Sequence, residues 1–407
     1  MTARPERHTR FEIVDTGDLA AVRRALTAAL NGAGPPVLPV ATADRERVLR
    51  MIDDVTSTDV SENPGSPPGA AAGPRALVMP TSGSTGAPKV VVLAAGALTS
   101  SARATHRRLG GDGQWLLGLP TSGIAGLQVI TRSILAGTQP VVVARSALPV
   151  EIDEAAERMD GRRYAALVPT QLHRILAAPA GADVLAVFDA ILLGGAAAPA
   201  GLLTSARERG IRIVTTYGMT ETAGGCVYEG RPLDGVAIAV DPAGHVRIGG
   251  PTVFSGYLGR PADTAGVLSN GWFTTADHGR IDDDGLLHIL GRTDDVVVSG
   301  GVNVALPEVS ERLLEHPDIA DAVAVGVPDD EWGTAVVAFV VMEPTAAPDR
   351  DTDIVRTWVA AGLGRAHAPR RVVTIAAMPM LGNGKVDRPA LVRRARLLLA
   401  QASGGPE

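Results

Sequence analysis

The sequence predicts an α/β protein: a large N-terminal domain of layered α/β sheets with a small β-rich subdomain, followed by a small α+β C-terminal domain. Between about residues 76 and 290, short β-branched runs alternate with Ala- and Arg-rich helical stretches. This alternation is typical of largely parallel sheets covered by helices. From 233 to 290, Gly and Asp turns separate shorter strands, which predicts the β-rich subdomain. After Asp294, a helix, two strands and a helix predict the C-terminal unit.

Individual elements follow from the same patterns. Strands are predicted at Val90–Leu93, Pro140–Val143, Ala190–Leu193 and Ile211–Thr215. Helices are predicted over 97–109, 152–159, 170–177 and 200–209. In the C-terminal part we expect helices near 307–315 and 352–362 and strands near 321–326 and 334–342. Residues 56–75 are rich in Pro, Gly and Ser and predict an exposed loop. We therefore expect two domains, residues 1–293 and residues 294–407.

Composition excludes several classes of protein. At 407 residues the chain exceeds the size at which one core usually suffices. A net charge of -6, with both signs interleaved, argues against a nucleic-acid partner. The single cysteine, Cys226, rules out an internal disulfide framework and fits a reducing compartment. The N-terminal residues have no apolar core of signal-peptide type, and Gly, Pro or Asp interrupts every apolar run. We expect a cytoplasmic enzyme without stable membrane association.

Lysine usage is the most selective signal in the chain. The protein has 38 basic residues, of which only Lys89 and Lys385 are lysines. Both stand in glycine-rich loops, almost 300 residues apart in the sequence. A lysine ammonium is a compact point charge on a flexible stem, and the planar guanidinium of arginine cannot occupy the same small space. Each lysine is therefore expected to contact one oxygen of a phosphate or a carboxylate.

The loop before Lys89 has the composition of a phosphate-binding loop. Thr81-Ser-Gly-Ser-Thr-Gly-Ala-Pro-Lys89 offers two glycines, three hydroxyls at Ser82, Ser84 and Thr85, and one ammonium group. Backbone N–H groups approach phosphate oxygens closely where no Cβ intervenes. A Walker A loop is excluded because Lys89 leads into a β-branched run rather than a helix. The alternative is a polar hairpin turn.

Six motifs in order resemble those of the acyl-adenylate-forming enzymes, the family of acyl-CoA synthetases, peptide-synthetase adenylation domains and luciferases. The resemblance runs from about residue 76 to the end of the chain. The motifs are Thr81–Lys89, Thr216-Tyr-Gly-Met-Thr-Glu221, Gly271-Trp-Phe-Thr-Thr-Ala-Asp277, Gly291-Arg-Thr-Asp294, Gly300-Gly-Val-Asn-Val-Ala-Leu-Pro-Glu308 and the loop that contains Lys385.

The resemblance implies roles for particular residues. Catalytic roles fall on Thr81, Glu221 and Lys385, and the metal ligand is Glu221. The implied ATP and AMP contacts are Thr81, Ser82, Gly83, Ser84, Thr85, Gly86, Lys89, Gly194, Gly195, Ala196, Thr216, Tyr217, Gly218, Met219, Thr220, Asp277, Arg292 and Lys385. The implied hinge is Asp294, and Gly300 and Gly301 form the loop of the thioester step.

These roles agree with the chemistry of the side chains. Tyr217 offers an aromatic face for adenine. Glu221 supplies the hard oxygen ligand that Mg²⁺ prefers beside substrate phosphates. Asp277 can accept hydrogen bonds from the ribose diol, and Arg292 can donate to ribose or phosphate. Lys385 can neutralise the charge that develops at the α-phosphate.

The family reaction has two steps and implies ATP, Mg²⁺ and coenzyme A as partners. A substrate carboxylate first displaces pyrophosphate from ATP to give an acyl-adenylate. The thiol of coenzyme A then attacks the mixed anhydride and releases AMP. Chemistry of this kind depends mainly on positioning and charge neutralisation. As in the family, the C-terminal domain is expected to rotate about Asp294 between the two steps.

Three segments are most similar to the o-succinylbenzoate–CoA ligases of menaquinone biosynthesis. They are Leu119–Gln128, Val168–Leu172 and Ile191–Pro199. The implied substrate contacts are Ser122, Gly123, Arg132 and His173. Gly123 stands where that group usually has histidine, in the pattern Leu-Pro-x-x-His-Ile-x-Gly.

Alternative functions remain open at this point. They are ligation of another aromatic or medium-chain acid, loading of a separate carrier protein, and nucleotide binding without catalysis. The last is disfavoured because Lys89, Glu221 and Lys385 are all present. A homodimer is also compatible with the sequence.

Overall fold

The computed structural model describes residues 11–56, 73–81, 89–292, 295–329, 331–343, 352–380 and 386–403. It divides into two compact units. The first contains residues 1–275 and 279–288, and the second contains residues 276–278 and 289–407. The predicted boundary at Asp294 lies outside the described residues and stays a prediction, as does most of the loop predicted at 56–75.

A five-stranded sheet opens the first unit. Its order is β1-β2-β3-β4-β14, with β1 to β3 parallel and β4 antiparallel to both of its neighbours. The strands are β1 Glu12–Asp15, β2 Val37–Val40, β3 Arg75–Thr81, β4 Lys89–Ala94 and β14 Gly256–Tyr257. The helices that accompany it in the chain are α1 Leu19–Leu30, α2 Arg45–Thr56 and α3 Ala95–Leu109.

A seven-stranded sheet forms the centre of the first unit. Its order is β11-β10-β9-β8-β7-β5-β6, and β6, β5, β7, β8 and β9 are parallel. The strands are β5 Gln114–Leu117, β6 Val141–Val142, β7 Arg163–Leu167, β8 Ala190–Leu193, β9 Ile213–Met219, β10 Gly224–Tyr228 and β11 Arg231–Pro232. The connecting helices are α4 Ile124–Leu135, α5 Pro149–Glu157, α6 Pro169–Ala177, α7 Gly181–Ala186 and α8 Ala200–Glu208.

Side chains that alternate along the strands explain the layers. In β8, Ala190 and Leu192 join the core that contains α1, α3 and α4, whereas Ile191 and Leu193 join the core that contains α5 to α8. Successive side chains of a strand point to opposite faces, so both faces of this sheet are covered by helices. In β4, Val91 belongs to the first core, and Val92 packs with α2 on the outer face of the five-stranded sheet.

The β-rich subdomain follows as a third sheet, of order β12-β13-β16-β15, with β17 paired to β16. Its strands are β12 Ala237–Val240, β13 His245–Gly249, β15 Leu268–Ser269, β16 Trp272–Ile281 and β17 Leu287–Arg292, and helix α9 spans Pro261–Val267.

The second unit is built on a three-stranded sheet, β20-β21-β22, and a separate hairpin of β18 and β19. The elements are β18 Val296–Ser299, β19 Val302–Ala305, α10 Leu306–Leu314, β20 Ile319–Asp329, β21 Gly333–Met342, α11 Thr352–Leu363, β22 Arg371–Thr374 and α12 Arg388–Ser403. Helices α10 and α11 pack on one face of the sheet and α12 on the other.

The structure confirms the predicted fold class and most of the elements. The predicted strand Pro140–Val143 is reduced to the two residues of β6, and β9 begins two residues later than predicted and ends at Met219. Lys89 begins a strand, as the β-branched run after it predicted. Among the described residues, no helix is long and apolar enough to cross a membrane.

Candidate functional site

The carboxyl ends of parallel strands bring most of the predicted site residues to one edge of the central sheet. Strands β5, β7, β8 and β9 run in the same direction and end at Leu117, Leu167, Leu193 and Met219. The segments that follow these ends therefore lie along one edge, where open α/β sheets usually bind ligands. The predicted residues in these segments are Ser122, Gly123, His173, Gly194, Gly195, Ala196 and Thr220. Thr216, Tyr217, Gly218 and Met219 are the last four residues of β9 itself.

The turn after β8 lies against β9 without room for side chains. A Cβ on Gly194 would lie 2.2 Å from the Thr216 hydroxyl oxygen. Gly195 has a φ of +85°, which favours glycine. The Thr216 hydroxyl donates to the Leu193 carbonyl at 3.3 Å, which ties the two strand ends together. Next to them Tyr217 is partly exposed. This backbone surface beside an aromatic ring is suited to a nucleotide base.

Gln171 joins two of the strand ends and was not among the predicted site residues. Its amide nitrogen donates to the carbonyl of Gly118 at 3.0 Å and to that of Arg145 at 3.2 Å. Its amide oxygen accepts from the Val168 backbone N–H at 3.1 Å, which caps helix α6. The residue is buried, so it supports the backbone at this edge of the sheet rather than facing solvent. Its place within the segment Val168–Leu172 was the only sequence signal for it.

Two oppositely charged residues of the site share a tyrosine. Glu221 lies in the 3₁₀ turn after β9, and its backbone carbonyl accepts from the Phe254 N–H at 2.9 Å. The Tyr257 hydroxyl donates to Glu221 Oε1 at 3.1 Å. Lys89 Nζ lies 4.7 Å from the centroid of the Tyr257 ring. The predicted metal ligand and the predicted phosphate-binding lysine thus both contact Tyr257. Sequence reasoning did not identify this tyrosine.

Only the ends of the predicted phosphate loop belong to the described residues. Thr81 and Lys89 are register partners at the ends of β3 and β4. The Thr81 hydroxyl donates to the Lys89 carbonyl at 3.2 Å, and both residues are partly buried. Ser82, Gly83, Ser84, Thr85 and Gly86 lie outside the described residues, so their predicted contacts stay predictions.

The predicted acid pocket begins at helix α4. Gly123 is the N-cap residue of this helix, with a φ of -113° and ψ of 150°. A Cβ there would meet only the Pro120 carbonyl oxygen, at 3.6 Å. The glycine is therefore not required by the backbone or by crowding, and a histidine could be built at the same position. Ser122 is partly exposed and His173 is exposed.

Arg132 corrects one prediction. The resemblance implied a substrate contact for this residue, but it lies in the last turn of α4 and is 3% exposed. Its guanidinium stacks on Trp115 at 4.7 Å and donates to the Tyr228 hydroxyl at 3.4 Å. Trp115 is near the amino end of β5, whereas the predicted site follows the carboxyl end. The burial and this position argue against a contact with substrate.

The second unit holds further predicted residues. Asp277 is buried, and Arg292 Nη1 donates to its Oδ1 at 3.4 Å. Gly300 begins the turn between β18 and β19 with a φ of +58°, and a Cβ there would lie 2.7 Å from the Trp332 ring. Gly301 also has a positive φ, of +80°. The predicted hinge Asp294 and the predicted catalytic Lys385 lie outside the described residues.

The acidic groups fit a magnesium site only in combination with substrate. Among the residues that the structure describes, no three His, Cys, Asp or Glu side chains are grouped so as to hold a metal ion. A single carboxylate at Glu221, close to a lysine, suits a metal that takes most of its ligands from phosphate oxygens and water.

Comparisons with known protein families assign both parts of the chain. The family model described as AMP-binding enzyme matches residues 16–258, and the model described as AMP-binding enzyme C-terminal domain matches residues 308–385.

Several similar proteins are named for the same activity. A protein of Mycobacterium tuberculosis named "Probable 2-succinylbenzoate--CoA ligase" is 42% identical over 380 residues, 91% of this chain and 94% of that protein. The 2-succinylbenzoate--CoA ligase of Geobacillus kaustophilus is 35% identical over 78% of this chain and 69% of that protein. Among solved structures, the Bacillus subtilis o-succinylbenzoate CoA synthetase (MenE) in complex with the acyl-adenylate intermediate OSB-AMP is 25% identical, with a TM-score of 0.72, covering 94% of this chain and 82% of that one.

Proposed function

The chain belongs to the AMP-binding enzyme family, and we propose that within it the protein is an ATP-dependent acid–CoA ligase for 2-succinylbenzoate. The products are 2-succinylbenzoyl-CoA, AMP and pyrophosphate. The observation that carries the proposal is the 42% identity, over 91% of this chain, to a relative named for that activity. The structure of the Bacillus subtilis enzyme with OSB-AMP supports an acyl-adenylate intermediate.

The reaction proceeds by two displacements. In the first, a carboxylate oxygen of the acid attacks the α-phosphorus of ATP, the new P–O bond forms, and pyrophosphate leaves. In the second, the sulfur of coenzyme A attacks the acyl carbon, the C–S bond forms, AMP leaves and the thiol proton is released. Each step moves negative charge onto phosphate oxygens, so fixed positive charges and N–H donors accelerate it.

The geometry at the strand ends supports a nucleotide site. Tyr217 and the backbone of Gly194 and Gly195 receive the adenine, and Lys89 approaches the phosphates from β4. Mg²⁺ held by Glu221 would neutralise part of the phosphate charge when bound. The close packing at Gly194 leaves backbone rather than side chains at this surface. The resemblance assigns the ribose hydroxyls to Asp277 of the second unit, whose carboxylate accepts a hydrogen bond from Arg292.

The acid lies between the starts of α4 and α6 in this proposal. Ser122, which is partly exposed, and His173, which is exposed, are among the polar residues of those segments that solvent can reach. The substrate keeps a second carboxylate on its ring, and burying that anion without donors would be costly. His173, Ser122 or bound water therefore receives it, because Arg132 is enclosed by Trp115 and Tyr228.

The two steps call for two arrangements of the C-terminal domain. In this proposal, one orientation brings Lys385 to the nucleotide for adenylation. Rotation about Asp294 then replaces Lys385 with the Gly300–Gly301 turn for thioester formation. Support comes from the turn itself, in which Gly300 and Gly301 both have positive φ and Gly300 packs closely against Trp332. A turn held this rigidly can present backbone N–H groups in one fixed direction.

The proposal extends to location and assembly. ATP and coenzyme A are cytoplasmic substrates, and we place the enzyme there. Burial raises the pKa of the Cys226 thiol to about 12, so the residue stays a protonated thiol in a reducing compartment. Light scattering on the purified protein tests whether it forms a homodimer.

Product analysis tests the proposed function. The purified protein is incubated with 2-succinylbenzoate, ATP and Mg²⁺, with and without coenzyme A, and the products are identified by mass spectrometry. We expect acyl-adenylate and pyrophosphate without coenzyme A, and thioester with equimolar AMP when it is present. Glu221→Gln should abolish both, whereas Glu208→Gln, at an exposed glutamate of α8, should not. ADP and phosphate as products would contradict the proposal.

A further inference from the structure

Tyr257 contacts two charged residues of the proposed nucleotide site, Glu221 and Lys89, although it belongs to none of the six motifs. Its hydroxyl donates to Glu221 Oε1 at 3.1 Å, and its ring lies 4.7 Å from Lys89 Nζ. We propose that Tyr257 is a positioning residue that holds the Glu221 carboxylate and the Lys89 ammonium side by side for the Mg²⁺ and phosphates of bound ATP. This inference rests on the proposed function and adds a residue to it.

The backbone fixes Tyr257 from both sides. Tyr257 pairs with Val91 in the antiparallel pair of β14 and β4, two residues from Lys89 on the neighbouring strand. Its N–H donates to the Thr264 hydroxyl at 2.9 Å. The Leu258 N–H donates to the Val90 carbonyl at 2.8 Å. These bonds prevent the residue from sliding along β4, so its side chain keeps a constant position relative to Lys89.

Packing then fixes the ring. Tyr257 is 7% exposed, and its ring meets Phe254 edge-on with centroids 4.9 Å apart. Gly256 has a φ of +136°, and a Cβ there would lie 2.8 Å from the Thr264 methyl group. The chain therefore cannot easily carry another residue before the tyrosine. Because the Tyr257 side chain has so little freedom to move, it can hold the side chains that contact it in fixed positions.

The hydrogen bond has one chemically consistent direction. Burial, and then the Glu221 carboxylate, raise the pKa of the Tyr257 phenol above its usual value. The phenol keeps its proton at physiological pH, so it donates and the carboxylate accepts. A donor on Oε1 restricts rotation of the carboxylate about its terminal bond. The hydrogen bond to Oε1 means that the effect of the phenol on chemistry passes through Glu221.

The ring makes a second, separable contribution. An ammonium group close to an aromatic face is attracted by the negative face of the ring. This contact restrains Lys89, whose flexible stem would otherwise sample many positions. Phenylalanine at 257 would keep the ring and lose the hydroxyl, whereas leucine would lose both. The two variants therefore separate the effect on the carboxylate from the effect on the lysine.

The test is the Mg²⁺ dependence of ATP binding, measured by isothermal titration calorimetry and independent of the acid substrate. Tyr257→Phe should raise the Mg²⁺ concentration for half-maximal ATP binding about tenfold, the order expected for losing a hydrogen bond to a charged group. Tyr257→Leu should show the same shift and also weaken ATP binding at saturating Mg²⁺. The control is Tyr164→Phe, which removes a phenol bonded to the Gly111 carbonyl at 3.1 Å.

The outcomes separate this inference from the proposed function. An unchanged Mg²⁺ dependence in Tyr257→Phe, or an equal shift in Tyr164→Phe, would overturn the role of Tyr257. A wild-type protein that binds MgATP without adenylating 2-succinylbenzoate would overturn the proposed substrate and leave the Tyr257 result standing. Failure of the wild type to bind MgATP would remove both.

Discussion

At the scale of single residues, the account depends on which charges are exposed to substrate and which are enclosed. Glu221 and Lys89 both contact Tyr257, and the proposed nucleotide site includes them. Arg132 is enclosed by Trp115 and Tyr228. Burial depth, which the sequence does not give, thus decides which of these cations can act on a ligand.

Lys385→Ala should reduce the rate of adenylate formation about 10²–10³-fold, the usual cost of removing one preorganised charge contact at a reacting centre. The second displacement occurs at the acyl carbon, so the rate of thioester formation from supplied acyl-adenylate should change little. Pyrophosphate release measures the first step and single-turnover thioester formation the second. A variant that adenylates within a few-fold of the wild type would show that the assignment of Lys385 is wrong.

His106 should make the protein less stable in mild acid. Its Nε2 accepts from the indole N–H of Trp115 at 3.2 Å, and its Nδ1 lies 2.7 Å from Asp112. An indole nitrogen only donates, so the histidine must be neutral with its proton on Nδ1. Burial, and then the Arg132 charge, lower the pKa of His106 in the folded protein, although Asp112 opposes them.

The sign of the pH effect follows from these pKa values. Above the unfolded pKa of about 6.5 the residue is neutral in both states. As the pH falls from there towards the lower folded pKa, the unfolded chain takes up a proton that the folded one refuses, so the free energy of unfolding decreases. The midpoints of urea denaturation, measured between pH 8 and pH 5, test this decrease in stability. The decrease should be smaller in His106→Gln and unchanged in His173→Asn, at an exposed histidine. Identical pH profiles in all three proteins would exclude the effect.

At the scale of elements, helix α4 depends on a glycine that the sequence motif contains but does not explain. A Cβ on Gly126 would lie 2.3 Å from the Pro120 carbonyl oxygen, whereas the corresponding distance at Gly123 is 3.6 Å. The start of α4 thus packs directly against the segment that leaves β5. The close approach fixes where the predicted acid pocket begins.

Gly126→Ala should therefore destabilise the protein by about 1–3 kcal/mol, the usual cost of overpacking. Gly123→His should change the free energy of unfolding by at most about 1 kcal/mol, the typical scale of an N-cap substitution. It should still ligate 2-succinylbenzoate, since it restores the residue usual at this position in the resembling ligases. Urea denaturation of both variants measures the change in the free energy of unfolding. Equal decreases in the two variants would refute the steric argument.

The β18–β19 turn should matter for one step only. Gly300→Ala adds a Cβ 2.7 Å from the Trp332 ring at a φ of +58°. It should slow thioester formation at least several-fold and leave adenylation near the wild-type rate, because the turn is assigned to the second step. Gly285→Ala is the matched control: it has a φ of +75° in open space in the first unit. Equal loss of both steps in Gly300→Ala would contradict the assignment.

At the scale of the whole molecule, local patterns predicted the elements but not their contacts. The β-branched run after Lys89 predicted β4, and the alternation up to residue 290 predicted the parallel sheet. Strand β6 is shorter than Pro140–Val143 because only Val141 and Val142 pair with β5. Pairing of this kind is decided by neighbours distant in the sequence, which no local window contains.

The candidate site was predictable to the same extent. The sequence predicted a strand that ends at Thr215, directly before the motif Thr216–Glu221. In the structure, Thr216 to Met219 belong to β9, and Thr220 and Glu221 follow it. Tyr257 and Gln171 were missed because their contacts join segments that are 36 and 53 residues apart. Arg132 was misplaced because nothing in the sequence indicates that Trp115 and Tyr228 enclose it.

The central claim is that this family member activates 2-succinylbenzoate, and a comparison of acids tests it most directly. Coenzyme A ligation is measured with 2-succinylbenzoate, benzoate and a medium-chain fatty acid at matched concentrations, and kcat/KM is compared. The account predicts a clear preference for 2-succinylbenzoate, because only this acid carries the second carboxylate for which the pocket must provide donors. A preference for either monocarboxylate would contradict it, while leaving the acid–CoA ligase chemistry intact.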